Sequence, residues 1–171
     1  DDFAPVVQAA RWTASLLDEL DLPASFQVTG SRGIHVVAPL DRSTPTDGAA
    51  AFARSLAHVL ARRHPDTLTD EGRKAKRRGR LYVDTARNGY AQTVVAPYSV
   101  RPRPGAPVAT PIRPEELDDP GLRPDGWTIA TLPARLAEVG DPWEGMGRHG
   151  RSLAARWERL QALLDEAPPP A

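Results

Sequence analysis

The chain predicts an α+β fold, a mixed or antiparallel sheet flanked by helices. Two stretches with apolar residues at helical spacing, residues 3–20 and 46–63, bracket two short apolar runs, "SFQV" and "IHVVAPL", joined by the turn "TGSRG". Two further strand-like runs, "LYVD" and "TVVAPYSV", follow a basic stretch, and two more helical patterns close the chain. Strands interleaved with helices make a sheet with helices laid across it, and the hairpin and the two later strands are expected in one sheet.

Each element follows from its residues. Val6, Val7, Ala10, Leu16, Leu17 and Leu20 recur along one side of the first helix, and Pro23 stops it. "SFQV" and residues 34–40 form the hairpin, with Pro39 ending the pairing. Ala50, Phe52, Ala53, Leu56, Val59 and Leu60 mark the second helix, closed by Pro65. In "RPRPGAPVATPIRPEEL" the recurring prolines exclude helix, so this segment is expected to be irregular and extended. Residues 131–139 form a short helix and residues 152–166 a longer one, with Leu153, Trp157, Leu160, Leu163 and Leu164 on one side. Trp127, Trp143 and Trp157 read as packing residues, and "PPPA" as a frayed end or linker.

With 171 residues the chain is long enough to bury a core as one domain. Its formal charge is zero, so composition names no partner, and its eighteen prolines exceed the usual usage of about 5%. It has no cysteine, which excludes disulfides and thiolate metal sites, and no apolar run approaches the roughly 20 residues of a membrane span. A cytoplasmic protein, without a membrane partner, is expected. The chain opens on Asp1 with no methionine before it and is expected to be part of something longer.

Three polar constellations stand out. In the turn, Gly30 and Gly33 let backbone N–H groups approach an anion, while Thr29, Ser31 and Arg32 offer donors and His35 follows inside the second strand. The alternative is a solvated hairpin with a satisfied histidine. The basic run Arg73, Lys74, Lys76, Arg77, Arg78 and Arg80 leads into the strand that delivers Asp84. It is either a solvated loop or a phosphate-backbone contact, with Lys74, Lys76 and Arg78 the candidates for nucleic acid. Asp84 is either a turn former or a metal-binding carboxylate in an electropositive cleft. Arg101 and Arg103, spaced to share one face of an extended chain and stiffened by Pro102 and Pro104, form the third group.

The order of these pieces resembles the polymerase domain of bacterial DNA ligase D and its stand-alone relatives, in the archaeo-eukaryotic primase superfamily. "FQVTGSRGIHVVAPL", the basic run, and "GRLYVDTARNGYAQTVVAPYSVRPRPGAPVATPIRPEEL" carry the resemblance, which extends more loosely through "ARLAEVGDPWEGM". It implies that residues 1–145 are a partial primase-polymerase domain and that 146–171 are its C-terminal helix and proline-rich tail. It further implies that Thr29, Ser31, Arg32, Arg77 and Arg101 bind the triphosphate of a nucleotide, and that His35 and Asp84 are catalytic. Asp84 would also bind the divalent metal, Mn²⁺ or Mg²⁺. Arg103 joins the lysines and Arg78 as a contact for nucleic acid.

Three departures accompany the resemblance. Arg32 stands where lysine is common, and Arg87 stands where glutamine is often found. The family's first motif, D-x-D on a strand before the first helix, has no match: Asp1 and Asp2 are adjacent, and Glu19-Leu20-Asp21 has the spacing but follows the helix. The metal site is therefore expected to be incomplete in this chain, whose fold lacks the family's N-terminal metal-binding strand. The activity implied is template-dependent DNA or RNA polymerisation, or priming, in end-joining break repair. The partners implied are primed, gapped or broken DNA, NTP or dNTP, and ligase and end-binding repair proteins in the bacterial nucleoid. A non-catalytic nucleic-acid-binding module of the same fold and a metal-dependent nuclease using His35 and Asp84 are the rival readings.

Overall fold

The computed structural model describes residues 2–166; Asp1 and the "PPPA" tail lie outside the described residues. Helix α1, Ala4–Glu19, carries Pro5 in its first turn, where a missing N–H is not needed, and Asp2 Oδ1 accepts the Ala4 N–H at 3.0 Å. Strands β1, Ser25–Val28, and β2, Ile34–Val37, form the expected antiparallel hairpin, with Gln27 opposite His35. Beyond Val37 the second strand gives way, and Leu40 makes only an isolated bridge to Arg151. Helix α2, Thr46–Arg63, follows.

The later strands differ from the expectation. Leu68–Thr69, β3, and Leu81–Tyr82, β4, make a separate parallel pair instead of joining the hairpin sheet. Asp84 accordingly lies two residues beyond its strand. "TVVAPYSV" forms no strand: Pro97 and Tyr98, the latter at φ +64°, sit in a turn, and only Val100 bridges to Val108. The third strand of the hairpin sheet comes instead from the proline-rich segment. Thr110–Ile112, β5, pairs antiparallel with β1, giving the order β2-β1-β5. Pro111 is tolerated because β5 is an edge strand, where a missing N–H faces away from the ladder.

Helices α3, Leu132–Val139, and α4, Ala154–Glu166, complete the fold. One apolar core joins Leu16 and Leu20 at the end of α1 to Phe52, Val59 and Leu60 of α2 and to Leu160 of α4. A second sets Ala10 of α1 against Phe26 and Val28 of β1 and Ile112 of β5. Side chains alternate along a strand, so α1 covers the Phe26 and Val28 face and leaves Gln27, His35 and Pro111 on the other. No helix among the described residues is long and apolar enough to cross a membrane. The tryptophans pack as expected: Trp157 lies 5.2 Å from Phe52, and Trp143 Nε1 donates to the Phe26 carbonyl at 3.0 Å.

Candidate functional site

The turn between β1 and β2 is closed by its own backbone. Thr29 N–H donates to the Gly33 carbonyl at 3.0 Å, and Gly33 N–H donates to Thr29 Oγ1 at 3.2 Å. Thr29 is buried, while Ser31 is half-buried and Arg32 exposed. Gly30 stands at φ +64°, and a Cβ there would come within 2.7 Å of Arg101 Cγ and 3.0 Å of the Val108 carbonyl carbon. The glycine is required both by its left-handed backbone and by the arginine stem lying across it.

Arg101 reaches Gly30 because residues 98–109 double back. Tyr98 N–H donates to the Ala109 carbonyl at 2.7 Å, Ala109 N–H to the Ser99 carbonyl at 2.9 Å, and Arg101 N–H to the Pro107 carbonyl at 2.7 Å. The extended path expected of "RPRPGAP" is therefore a hairpin-like arm with its bend at 102–106, where Gly105 and Ala106 take positive φ. Arg101 is half-buried against the β1–β2 turn and Arg103 exposed in the bend, so the two do not share a face of an extended strand. The arm's base is held by Tyr98, whose hydroxyl donates to Asp141 Oδ1. Burial and that carboxylate push the Tyr98 phenol well above its ordinary range.

His35, half-buried on β2, feels both of the other groups. Burial, and then the Arg101 guanidinium, hold its imidazole below the ordinary range, while the Asp84 carboxylate acts in the opposite direction. Arg101 and Asp84, from two separate parts of the chain, thus lie within electrostatic reach of His35. Asp84 is exposed, and its Oδ1 accepts the Ala86 N–H at 2.9 Å, capping the short turn Ala86–Asn88. It is a turn former as well as the carboxylate nearest in effect to His35.

The basic run divides. Lys74, Lys76 and Arg78 are exposed, with Arg78 at φ +51°. Arg77 is committed to its own loop, donating to the carbonyls of Glu71 at 3.1 Å and Gly72 at 2.7 Å while its guanidinium lies 4.2 Å from the Tyr82 ring centroid. Arg80 is tied to the Arg77 and Pro65 carbonyls. The carboxylates with D-x-D spacing are also engaged: Glu19 pairs with Arg63 through both oxygens, at 2.8 and 2.9 Å, and Asp21 pairs with Arg156. Among the described residues no three His, Asp or Glu side chains gather as a metal ion requires. The described donors do not by themselves fit a resident divalent cation.

Gln27 was not singled out in the sequence. It faces His35 from the centre of β1, buried, with its amide donating to the Val95 carbonyl at 3.3 Å. The one signal was a polar residue between the apolar Phe26 and Val28.

The fold is that of a primase-polymerase-type domain, whose family is a class of nucleotidyltransferases. The chain belongs to the LigD primase-polymerase domain family, whose model matches residues 1–143. It is 34% identical over 157 residues to the multifunctional non-homologous end joining protein LigD of Pseudomonas aeruginosa, covering 90% of this chain and 18% of that protein. The corresponding DNA repair protein of Mycobacterium tuberculosis is 33% identical over 169 residues, 98% of this chain and 22% of the relative. Among solved structures, the polymerase domain from Mycobacterium tuberculosis ligase D in complex with DNA superposes with a TM-score of 0.80 at 32% identity, over 86% of this chain and 51% of that one. The chain thus spans about a fifth of these curated relatives and about half of the matched polymerase-domain chain.

Proposed function

We propose that this chain supplies the nucleotide-phosphate-binding part of a template-dependent DNA or RNA polymerase, or primase, that extends ends during break repair. The observation that supports it is the Arg101 stem lying across Gly30 in the β1–β2 turn, with His35 within electrostatic reach of both Arg101 and Asp84. In that reading Thr29, Ser31 and Arg32 direct donors to triphosphate oxygens, and Arg101 stabilises the charge that develops as pyrophosphate leaves. Asp84 and His35 border the reacting end of the nucleotide. Arg77 braces the loop from which Lys74, Lys76 and Arg78 reach the DNA backbone, and Arg103 meets that backbone from the arm. A divalent cation, Mn²⁺ or Mg²⁺, accompanies the nucleotide as its counter-ion, with Asp84 as this chain's carboxylate toward it. The expected partners are primed, gapped or broken DNA, NTP or dNTP, and the ligase and end-binding proteins of end joining in the bacterial nucleoid.

The test is incorporation of labelled nucleotide on a primed, gapped duplex with Mn²⁺ by the intact protein. Asp84→Ala is expected to abolish incorporation while leaving the fold intact by circular dichroism. Incorporation unchanged in that variant removes Asp84 from the chemistry. DNA binding by the intact protein without incorporation establishes the non-catalytic module, and cleavage of DNA without added nucleotide establishes the nuclease.

A further inference from the structure

Gln27 is only 1% exposed, and its Oε1 is buried without a hydrogen-bond partner. The orientation of its amide is not arbitrary. Nε2 donates to the Val95 carbonyl, and turning the amide over would set two carbonyl oxygens against each other. Oε1 is therefore an acceptor in want of a donor, and a buried acceptor left in that state is costly enough to demand an explanation.

The sheet limits where that donor comes from. Side chains directly opposite each other in an antiparallel pair have Cβ atoms roughly 4.5–5.5 Å apart. On one side Gln27 faces Pro111, which has no donor, and on the other it faces His35, whose ring carries an N–H. Arg101 Nε is the other donor of this region that is buried without a partner, but its stem lies across Gly30, beyond the end of β1. His35 is the donor that the strand register itself brings to Gln27.

We propose that Gln27 is the positioning residue of His35: its Oε1 accepts the ring N–H, fixing the ring's orientation and tautomer and turning the second nitrogen toward Arg101 and Asp84. Through Val95 the same amide ties the ring to the segment that leads into Arg101, so strand and arm share one hydrogen-bonded link. The consequence for nucleotide binding rests on the phosphate-site reading above, while the hydrogen bond does not.

The experiment is nitrogen-15 NMR of the His35 ring in the intact protein at a pH of about 8, where an ordinary imidazole is neutral, with the resonances assigned by their loss in His35→Gln. The wild type is expected to show a single tautomer with a ring N–H protected from solvent exchange. Gln27→Met keeps the length of the side chain and removes the acceptor; exchange of that proton is expected to rise about tenfold, the effect of losing one hydrogen bond, with both tautomers populated. Gln27→Glu, which restores an acceptor oxygen, is expected to return the single tautomer. A ring proton in fast exchange in the wild type overturns the proposal without any variant, and so does an unchanged tautomer in Gln27→Met. ATP titration of the wild type separates the two readings: a locked ring in a protein that fails to bind ATP keeps this hydrogen bond and removes the phosphate site.

Discussion

The helical scaffold and the arm over the sheet are built on different principles. In the scaffold, α1, α2 and α4 meet through leucines and Phe52 that are almost wholly buried, and the polar groups at their ends pair across the helices, as Arg63 does with Glu19. Between Asp84 and Ala109 the order is reversed. Tyr90, Val94 and Val100 are exposed, and Ala91, Tyr98 and Ala106 hold left-handed backbones that cost each roughly 1–2 kcal/mol. The arm keeps its shape through a few anchors, chiefly the backbone bonds to residues 107–109 and the Tyr98 hydroxyl on Asp141. Burial stabilises the scaffold, whereas the arm stores strain where the candidate site lies, a distribution common where a ligand must be met by a preset shape.

That contrast is broken most directly in the core. Leu60, 1% exposed between α1 and α4, is expected to cost about 2–5 kcal/mol on change to alanine, read as a lower denaturant midpoint. ATP affinity of the folded fraction should stay unchanged. A loss below about 1 kcal/mol, less than core truncations of this kind ordinarily cost, would mean that the scaffold is not what holds the fold.

Gly30→Ala probes the joint between the two regions. The added Cβ meets Arg101 Cγ and the Val108 backbone at a left-handed position, so a stability loss of about 1–2 kcal/mol is expected from the backbone alone. Displacement of Arg101 should weaken ATP binding at least about tenfold, equivalent to about 1.4 kcal/mol. Unaltered ATP affinity alongside the stability loss would detach Arg101 from the site.

The smallest effect belongs to His64, which stacks on Trp12 with ring centroids 3.7 Å apart. Burial first, and Arg63 second, hold its pKa below the ordinary 6.5. The unfolded chain then binds more protons than the folded one between those two values. The folded state should lose stability as pH falls through about 6.5, the loss levelling off below the folded pKa. His64→Phe preserves the stacking and is expected to flatten part of this acid limb in thermal melts from pH 7 to pH 5. An acid limb of unchanged slope would exclude His64 as its source.

Much of the fold was legible because its signals are local. α2 falls at residues 46–63 as its periodicity predicts, and the hairpin lies where two apolar runs flank a glycine turn. The candidate residues of that turn could be named from the sequence, since Thr29, Gly30 and His35 sit within seven residues of one another. The strand assignments failed where pairing is non-local. "TVVAPYSV" has strand composition, but only its end, residues 98–100, meets partner backbone, at 108–109, and "TPI" contains a proline yet becomes β5 because β1 offers it an edge.

By itself the sequence determined the helical scaffold, the hairpin and its glycine turn, because helical period, alternation and glycine chemistry act over a few residues. Only the tertiary structure decided that Arg101 folds back across Gly30, that Arg77 is spent on its own loop, and that Gln27 faces His35 with a buried oxygen unpaired. Those relations depend on strand register and on where a proline-rich arm turns, which are settled by hydrogen bonds and packing between residues far apart in the chain.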